Sequence, residues 1–409
     1  MKKRQTFSER FDWTLCLIIF LFLLVSCLAI YSAQATGQYG TTNFVFKQIQ
    51  WYVIGSVIVA IIMYFDPDQI RRLSWYLYGF GILLLILIII SPESLVPKIN
   101  GARSWFKLPV GGIAIQPSEF MKTFLILILS RIAISHQQTT EIKTIKTDLV
   151  LLGKLGVVTL LPLALIMKQP DLGTSLVIIS IFLGIVLVSG INWKILLPAI
   201  GGGISIGSLL IYLVLYFPEL LQKYLGVESY QFKRIYAWLR PEEYAGKEAF
   251  HLEQSLDAIG SGMMTGKGFT KAVVYIPESH SDFIFSVIGE EFGFVGGSIV
   301  IGLYFILIYH LIKIALSAAD GFISYVCAGI ISMLTFHVFQ NIGMTIQVLP
   351  ITGIPLPFIS YGGSSLMGTM MAMGVIFSIQ YYSRASMFST PTKTSSSPMK
   401  RKRSHTIRG

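Results

Sequence analysis

Few side chains in this sequence have both the type and the setting to do chemistry, and the most telling is an aspartate. Asp282 precedes the apolar run Phe283-Ile284-Phe285, with Glu290 and Glu291 farther along the same helical stretch. A carboxylate at the start of an apolar helix can serve as an N-cap. Partly withdrawn from water and beside cations, it can equally be tuned into a general base. The adjacent His280-Ser281-Asp282 has the groups of a hydrolase triad, but triads are assembled from residues distant in sequence, which argues against that chemistry. Glu119 and Lys122 fall on one face of a helix that starts after Pro117, where each neutralises the other. Lys168 and Asp171 bracket the turn Lys168-Gln169-Pro170-Asp171-Leu172-Gly173-Thr174, and Arg103 lies beside Trp105, an aromatic suited to a membrane interface. The run Gly260-Ser261-Gly262-Met263-Met264-Thr265-Gly266-Lys267-Gly268 invites comparison with a phosphate-binding loop, yet its glycine spacing is wrong and Gly268 replaces the required Ser or Thr. It reads as a flexible turn whose backbone amides could still meet phosphate.

The elements that must position these residues are membrane helices. Of the 409 residues, 53% are hydrophobic and 13% charged, against roughly 25% charged in soluble domains. Apolar runs near the ~20 residues needed to cross the hydrocarbon predict ten spans. They lie at 12–32, 48–65, 74–91, 117–135, 150–168, 172–190, 195–216, 290–312, 322–347 and 365–383. The first is as long as a full crossing and lacks an A-x-A cleavage pattern, so it is expected to stay as a signal anchor. Cys16, Cys27 and Cys327 fall within spans, where they are expected to pack as small apolar residues.

Ten crossings put both termini on one side. That side collects Lys2, Lys3, Arg4 and Arg10, then Arg71 and Arg72, Lys143 and Lys146, Lys194, Lys313 and Arg384. By the excess of Lys and Arg in cytoplasmic loops, the termini are cytoplasmic. Residues 1–11 form the cytoplasmic N-terminus, 12–385 the membrane domain, and 386–409 a basic, disordered cytoplasmic tail attracted to anionic headgroups of membrane lipid. No nucleic-acid partner is expected. Outside lie 92–116, the long loop 217–289 between spans seven and eight, and the Pro/Gly-rich segment 348–364. Within the long loop, Phe232, Ile235 and Leu239 recur at helical spacing beside Lys233, Arg234 and Arg240. That pattern suits a helix in the membrane interface or one packed on the external ends of the spans. Pro350, Pro355 and Pro357 with Gly353, Gly362 and Gly363 break helical continuity, either shaping a cavity or forming a rigid re-entrant turn.

Five blocks of this sequence resemble the SEDS family (shape, elongation, division and sporulation), and its elongation branch more than its division branch. They are Asn100-Gly101-Ala102-Arg103-Ser104-Trp105-Phe106, Gln116-Pro117-Ser118-Glu119-Phe120-Met121-Lys122, Gln169-Pro170-Asp171-Leu172-Gly173-Thr174, Pro277-Glu278-Ser279-His280-Ser281-Asp282-Phe283-Ile284-Phe285 and Gly353-Ile354-Pro355-Leu356-Pro357-Phe358-Ile359-Ser360-Tyr361-Gly362-Gly363-Ser364-Ser365. Ser281 stands where Thr is common, and Ser104 where a second basic residue often occurs.

The resemblance implies an all-α integral membrane protein with a ten-helix fold. It also implies a peptidoglycan glycosyltransferase that polymerises lipid II during cell elongation, partnered by a class B penicillin-binding protein and other elongation machinery. The family's essential acid falls on Asp282, expected to take the proton of the acceptor hydroxyl as undecaprenyl diphosphate departs from the lipid-linked nascent glycan. Arg103, Lys107, Lys233 and Arg234 are expected to meet the growing phosphate charge, or a divalent cation, magnesium or manganese, does so. Glu278 is expected to orient the loop or hold that metal, and Glu119, Lys122 and Ser360 complete the expected substrate-binding set. A lipid II flippase and a non-enzymatic scaffold for the transpeptidase are the rival readings. Candidate acids near the external face, with no clear internal repeat, argue against a transporter.

Overall fold

The computed structural model describes residues 7–38, 40, 42–98, 102–107, 114–217, 235–244, 246, 249–318 and 320–387. A helical turn α1 (Phe7–Arg10) leads into α2 (Trp13–Ala35), α3 (Phe44–Met63) and α4 (Pro67–Ile90). A small antiparallel ribbon, β1 (Phe106–Lys107) with β2 (Ala114–Ile115), precedes α5 (Pro117–Thr139), α6 (Ile145–Met167), α7 (Leu172–Val188) and α8 (Trp193–Tyr216). After a short helical segment 235–239 and the 3-10 turn Pro241–Tyr244 come α9 (Phe250–Gly262), α10 (Ile284–Ser317), α11 (Gly321–Thr345) and α12 (Gly363–Met387). Local sequence starts many of these helices. Side chains of Asp12, Asn43, Asp66, Thr144, Asp171, Asn192 and Asp320 each accept a backbone N–H of the first turn.

Every segment expected to span falls on one of these helices. Seven of them (α2, α3, α4, α6, α8, α10 and α11) are long and apolar enough to cross a membrane, and the chain is a multi-pass membrane protein. Helix α7 is apolar but has 17 residues. Helices α5 and α12 are buried over most of their length. α5 packs against α4, α6, α7, α11 and α12, and α12 lies along α3 and α5. Their side chains face protein rather than lipid, so these helices tolerate polar residues that a lipid-facing helix would not.

Helix α10 starts at Ile284 rather than near 290, and it is broken at Gly293, with φ 62° and ψ −157°. The break is repaired by the glycine-rich run. Phe294 and Val295 N–H groups donate to the carbonyls of Met263 (2.9 Å) and Met264 (3.1 Å), while Lys267 and Gly268 N–H groups donate to Glu290 and Glu291 carbonyls, both at 3.0 Å. The run is therefore not a flexible turn with amides to offer phosphate: those of Lys267 and Gly268 are already used. The side chains of the two glutamates close the same joint. Lys267 Nζ lies 2.5 Å from Glu290 Oε1, which also accepts the N–H groups of Val273 (2.9 Å) and Val274 (3.2 Å). Glu291 accepts the Ser32 hydroxyl and the Ala272 N–H.

The described part of the long loop packs onto the bundle. Ile235 and Tyr236 lie against Leu213 and Val214, the Tyr236 hydroxyl donates to Val214 O (2.6 Å), and Trp238 Nε1 donates to Gln347 O (2.9 Å). Helix α9 lies on α10. Phe232 lies outside the described residues.

A Cβ on Gly266, at φ 79°, would sit 2.1 Å from Glu291 O. Gly266→Ala is expected to combine backbone strain with overpacking and to lower stability by about 3 kcal/mol or more. Thermal unfolding of the detergent-solubilised protein measures it, and an unchanged midpoint would contradict the spliced joint.

Candidate active site

Between α11 and α12 the chain runs through a Pro/Gly-rich segment that enters the bundle instead of lying over it. Leu356, Phe358 and Ile359 are at most 2% exposed. Proline supplies no N–H, so Pro350, Pro355 and Pro357 leave a segment with surplus carbonyls, and these are met by side-chain donors of surrounding helices. Gln340 Nε2 donates to Pro350 O (2.9 Å) and Asn341 Nδ2 to Ile354 O (2.8 Å). His337 Nδ1 faces Pro355 O at 3.4 Å. The Tyr304 hydroxyl bonds Pro357 O, Tyr52 OH donates to Phe358 O (2.6 Å), Ser26 Oγ to Ile359 O (2.7 Å) and Gln48 Nε2 to Ser360 O (3.2 Å). The segment is thereby rigid, in keeping with a re-entrant turn.

Against this segment lies the turn that carries Asp282. Ser360 Oγ donates to Ser281 O (2.6 Å), Tyr361 N donates to His280 O (2.9 Å), and Asn341 Nδ2 donates to Asp282 O (2.8 Å). Asp282 itself is half-buried, Gly353 beside it is exposed, and a Cβ built on Gly353 would stand 3.2 Å from Asp282 Oδ2. The N-cap of α10 is Phe283, without a side-chain capping bond. The N-cap alternative for Asp282 is thus set aside.

The other family-like blocks converge on the same end of the bundle. Gln116 Nε2 donates to Asp171 Oδ2 (2.8 Å), and Gln116 N to Ser364 Oγ (3.0 Å). Ser104 Oγ donates to Gln169 O (3.3 Å). Gly173 lies so close to the re-entrant segment that a Cβ there would stand 2.8 Å from Ile354 Cγ1 and 3.3 Å from Thr352 O. Asp171 also caps α7 through Thr174 N.

Several side chains expected to touch substrate have other work. Glu119 and Lys122 are 4% and 2% exposed, inside the bundle. Lys122 Nζ lies 2.6 Å from Glu119 Oε2 and 3.1 Å from His337 Nε2. With Nε2 accepting from the ammonium, the tautomer that satisfies the ring carries its proton on Nδ1, toward Pro355 O. Substrate contact by this pair is corrected to a buried ion pair, because no substrate reaches side chains so enclosed. Ser360 is buried too, donating to Ser281 O while accepting Leu356 N–H, so its role is to join the two segments. Arg103 Nη2 donates to Ser91 O (2.6 Å) at the end of α4, where a cation suits the helix C-terminus. Lys107 is exposed, and Lys233 and Arg234 lie outside the described residues. Glu278 is exposed beside Asp282 in sequence, with φ 55°, and its Oε2 accepts the Ser281 hydroxyl at 3.1 Å. No group of three or more His, Cys, Asp or Glu side chains placed to hold a metal occurs among the described residues.

Burial favours the neutral form of the histidines nearby. His280 packs at a tilt against Phe44 (4.3 Å between centroids) and Tyr361 (5.5 Å), and His251 stacks on Phe283 (5.8 Å). Burial lowers the pKa of both, with the Glu278 charge opposing the shift. The Ser281 hydroxyl is turned to Glu278, at 3.1 Å from its Oε2. The sequence reading passed over Gln340, Asn341 and His337. Their one signal was spacing, since positions 337, 340 and 341 place three polar groups on one face of an apolar span.

Apolar helices enclosing a rigid, carbonyl-rich segment, with a half-exposed acid at one end, define a multi-pass membrane protein with a site at the bundle's edge. The profile of the cell cycle protein family that groups FtsW, RodA and SpoVE matches residues 12–385. Stage V sporulation protein E of Bacillus subtilis is 36% identical over 382 residues, covering 91% of this chain and 98% of that protein. Peptidoglycan glycosyltransferase RodA of Treponema pallidum is 31% identical over 433 residues, covering 90% and 97%. A chain from a solved structure described as structural coordination of polymerization and crosslinking by a peptidoglycan synthase complex superposes with a TM-score of 0.69 at 26% identity, covering 90% of this chain and 97% of that one. The chain belongs to the SEDS family.

Lys122→Met strands the Glu119 carboxylate in the interior and is expected to cost about 3–5 kcal/mol of stability. Replacing both partners with apolar side chains should cost less. Denaturant unfolding in detergent compares them, and a single variant as stable as the double would contradict a structural ion pair.

Proposed function

We propose that this chain is a peptidoglycan glycosyltransferase that polymerises lipid II into glycan strands on the outer face of the cytoplasmic membrane. The observation that carries the reading is the half-exposed carboxylate of Asp282 beside exposed Gly353, where the family-like segments meet. The name of the Treponema relative, peptidoglycan glycosyltransferase, supports the same reaction here. In that reaction Asp282 takes the proton of the acceptor sugar's 4-hydroxyl while its oxygen bonds to the donor's anomeric carbon. The bond from that carbon to the diphosphate oxygen breaks, and its electron pair leaves with undecaprenyl diphosphate. Displacement assisted by one base inverts the anomeric centre, so no carboxylate nucleophile is required.

For the charge growing on the diphosphate we assign Lys107, Lys233 and Arg234, together with Arg103 through its remaining N–H groups. A divalent cation is the further proposed source of charge, and the polymerisation assay repeated after chelation decides it. Glu278 is assigned to shaping the turn that presents Asp282. Ten spans, cytoplasmic termini and an external 217–289 loop are the topology this chemistry requires, with 12–385 as the polymerase domain and 1–11 and 386–409 as cytoplasmic extensions. A class B penicillin-binding protein is the proposed partner, a reading supported by the likeness to a complex that couples polymerization to crosslinking.

Asp282→Asn is expected to lower glycan synthesis by about 10²- to 10⁴-fold while membrane insertion and partner binding persist. Purified protein with its transpeptidase and lipid II provides the assay. Near-normal polymer from the variant defeats the base assignment, and a wild type that only translocates lipid II favours the flippase. Depletion in cells tests the elongation role: rounding is the expected outcome, and filamentation counts against it.

A further inference from the structure

Asn341 is 0% exposed, four residues from the end of α11, and its amide nitrogen donates to two carbonyls at once, Asp282 O and Ile354 O, both at 2.8 Å. The two carbonyls belong to segments far apart in sequence. One precedes α10 and carries the acid; the other follows α11 and carries Gly353, whose absent side chain leaves room beside Asp282 Oδ2. The amide orientation is set by these partners, because a flipped group would point its oxygen at two carbonyl oxygens. We infer that Asn341 is the positioning residue for Asp282, fixing the distance between the carboxylate-bearing turn and the Gly353 segment.

One helical turn earlier, His337 supports the same segment. Its Nδ1 faces Pro355 O, one residue beyond the Asn341 contact, and its Nε2 is held by the Lys122 ammonium, itself paired with Glu119 on α5. The backbone at 280 and 281 is tied separately by Tyr361 N and Ser360 Oγ. Loss of the Asn341 contact therefore releases the acid's own carbonyl while the neighbouring ties hold the turn in place. A displacement of about 1 Å at a reacting group can cost on the order of 10²-fold in rate. Asn341 touches no reacting atom, so its effect falls on turnover through Asp282 and not on substrate affinity.

The inference rests on Asp282 acting as base, and the assay keeps the two apart. Full-length protein with its transpeptidase partner is supplied with lipid II, and kcat and KM are measured for wild type, Asp282→Asn, Asn341→Asp and two His337 variants. Asn341→Asp keeps the shape but replaces the paired donor with an acceptor. It is expected to lose about 10- to 100-fold in kcat, with KM within about twofold of wild type. Unchanged kcat, or a loss confined to KM, overturns the inference. Should Asn341→Asp fail to accumulate in the membrane, the His337 pair decides. His337→Asn sets an amide N–H near the place of Nδ1 and should retain turnover better than His337→Gln, whose amide reaches the Lys122 side instead. Equal loss, or the reverse order, overturns it. A wild type without polymer, or Asp282→Asn as active as wild type, is a failure of the catalytic reading and not of the positioning one.

Discussion

The structure depends on keeping the carbonyls of an irregular segment satisfied where water is scarce. A buried backbone polar group left unpaired costs about 1–3 kcal/mol, whereas one made hydrogen bond contributes a net ~0.5–1.5 kcal/mol. The donors around residues 350–360 therefore matter less for what they add than for what their loss would cost. Prolines make the problem solvable. Pro350, Pro355 and Pro357 remove N–H groups that would need acceptors, so the surroundings have mainly to donate, which Ser, Tyr, Gln, Asn and His side chains do. Because those donors come from α2, α3, α10 and α11, the segment fixes the mutual placement of four helices.

Ionisable groups divide along the same line. Those deep in the bundle are paired: Glu119 with Lys122, Glu290 with Lys267, and Asp12 with His310 at 2.7 Å. The Lys267–Glu290 and Asp12–His310 pairs each join two elements, whereas Glu119 and Lys122 share α5 and reach α11 through His337; removing one partner is costly while the pair itself adds little net stability. Glu278 and Asp282 differ in location. They lie on a turn with solvent access, where a carboxylate can exchange a proton with an incoming group.

Helix positions were legible because lipid imposes one requirement, length of apolar sequence, and it acts on every span. The exceptions have a physical reason. The expected span begins at Glu290 while α10 begins at Ile284, and the two glutamates near its start are accommodated because the 263–274 segment shields both. Glu119 and Lys122 could be paired from spacing alone, but whether that pair faces substrate or protein depends on α11 and α12, which no local pattern reveals. The proposed base at 282 was legible as a candidate from its chemistry and family resemblance. Its supporting residue, Asn341, was not, because an amide within an apolar helix carries no charge to attract notice and its partners are main-chain atoms from distant segments.

The geometry around Asp282 separates what is held from what must move. Backbone ties at 280, 281 and 282 leave the carboxylate little freedom beyond its own side-chain rotation. In the proposed reaction, substrates borne on prenyl chains would arrive by sliding within the membrane plane, so orientation at the reacting atoms must be supplied by the protein, and a fixed base would supply it most directly. Gly353 meets two demands at one position. Its φ of 71° is a backbone conformation that residues with a Cβ rarely adopt, and a Cβ there would stand 3.2 Å from Asp282 Oδ2. A side chain at 353 would thus strain the segment and crowd the carboxylate together, so the turn that shapes the backbone also keeps space beside the proposed base.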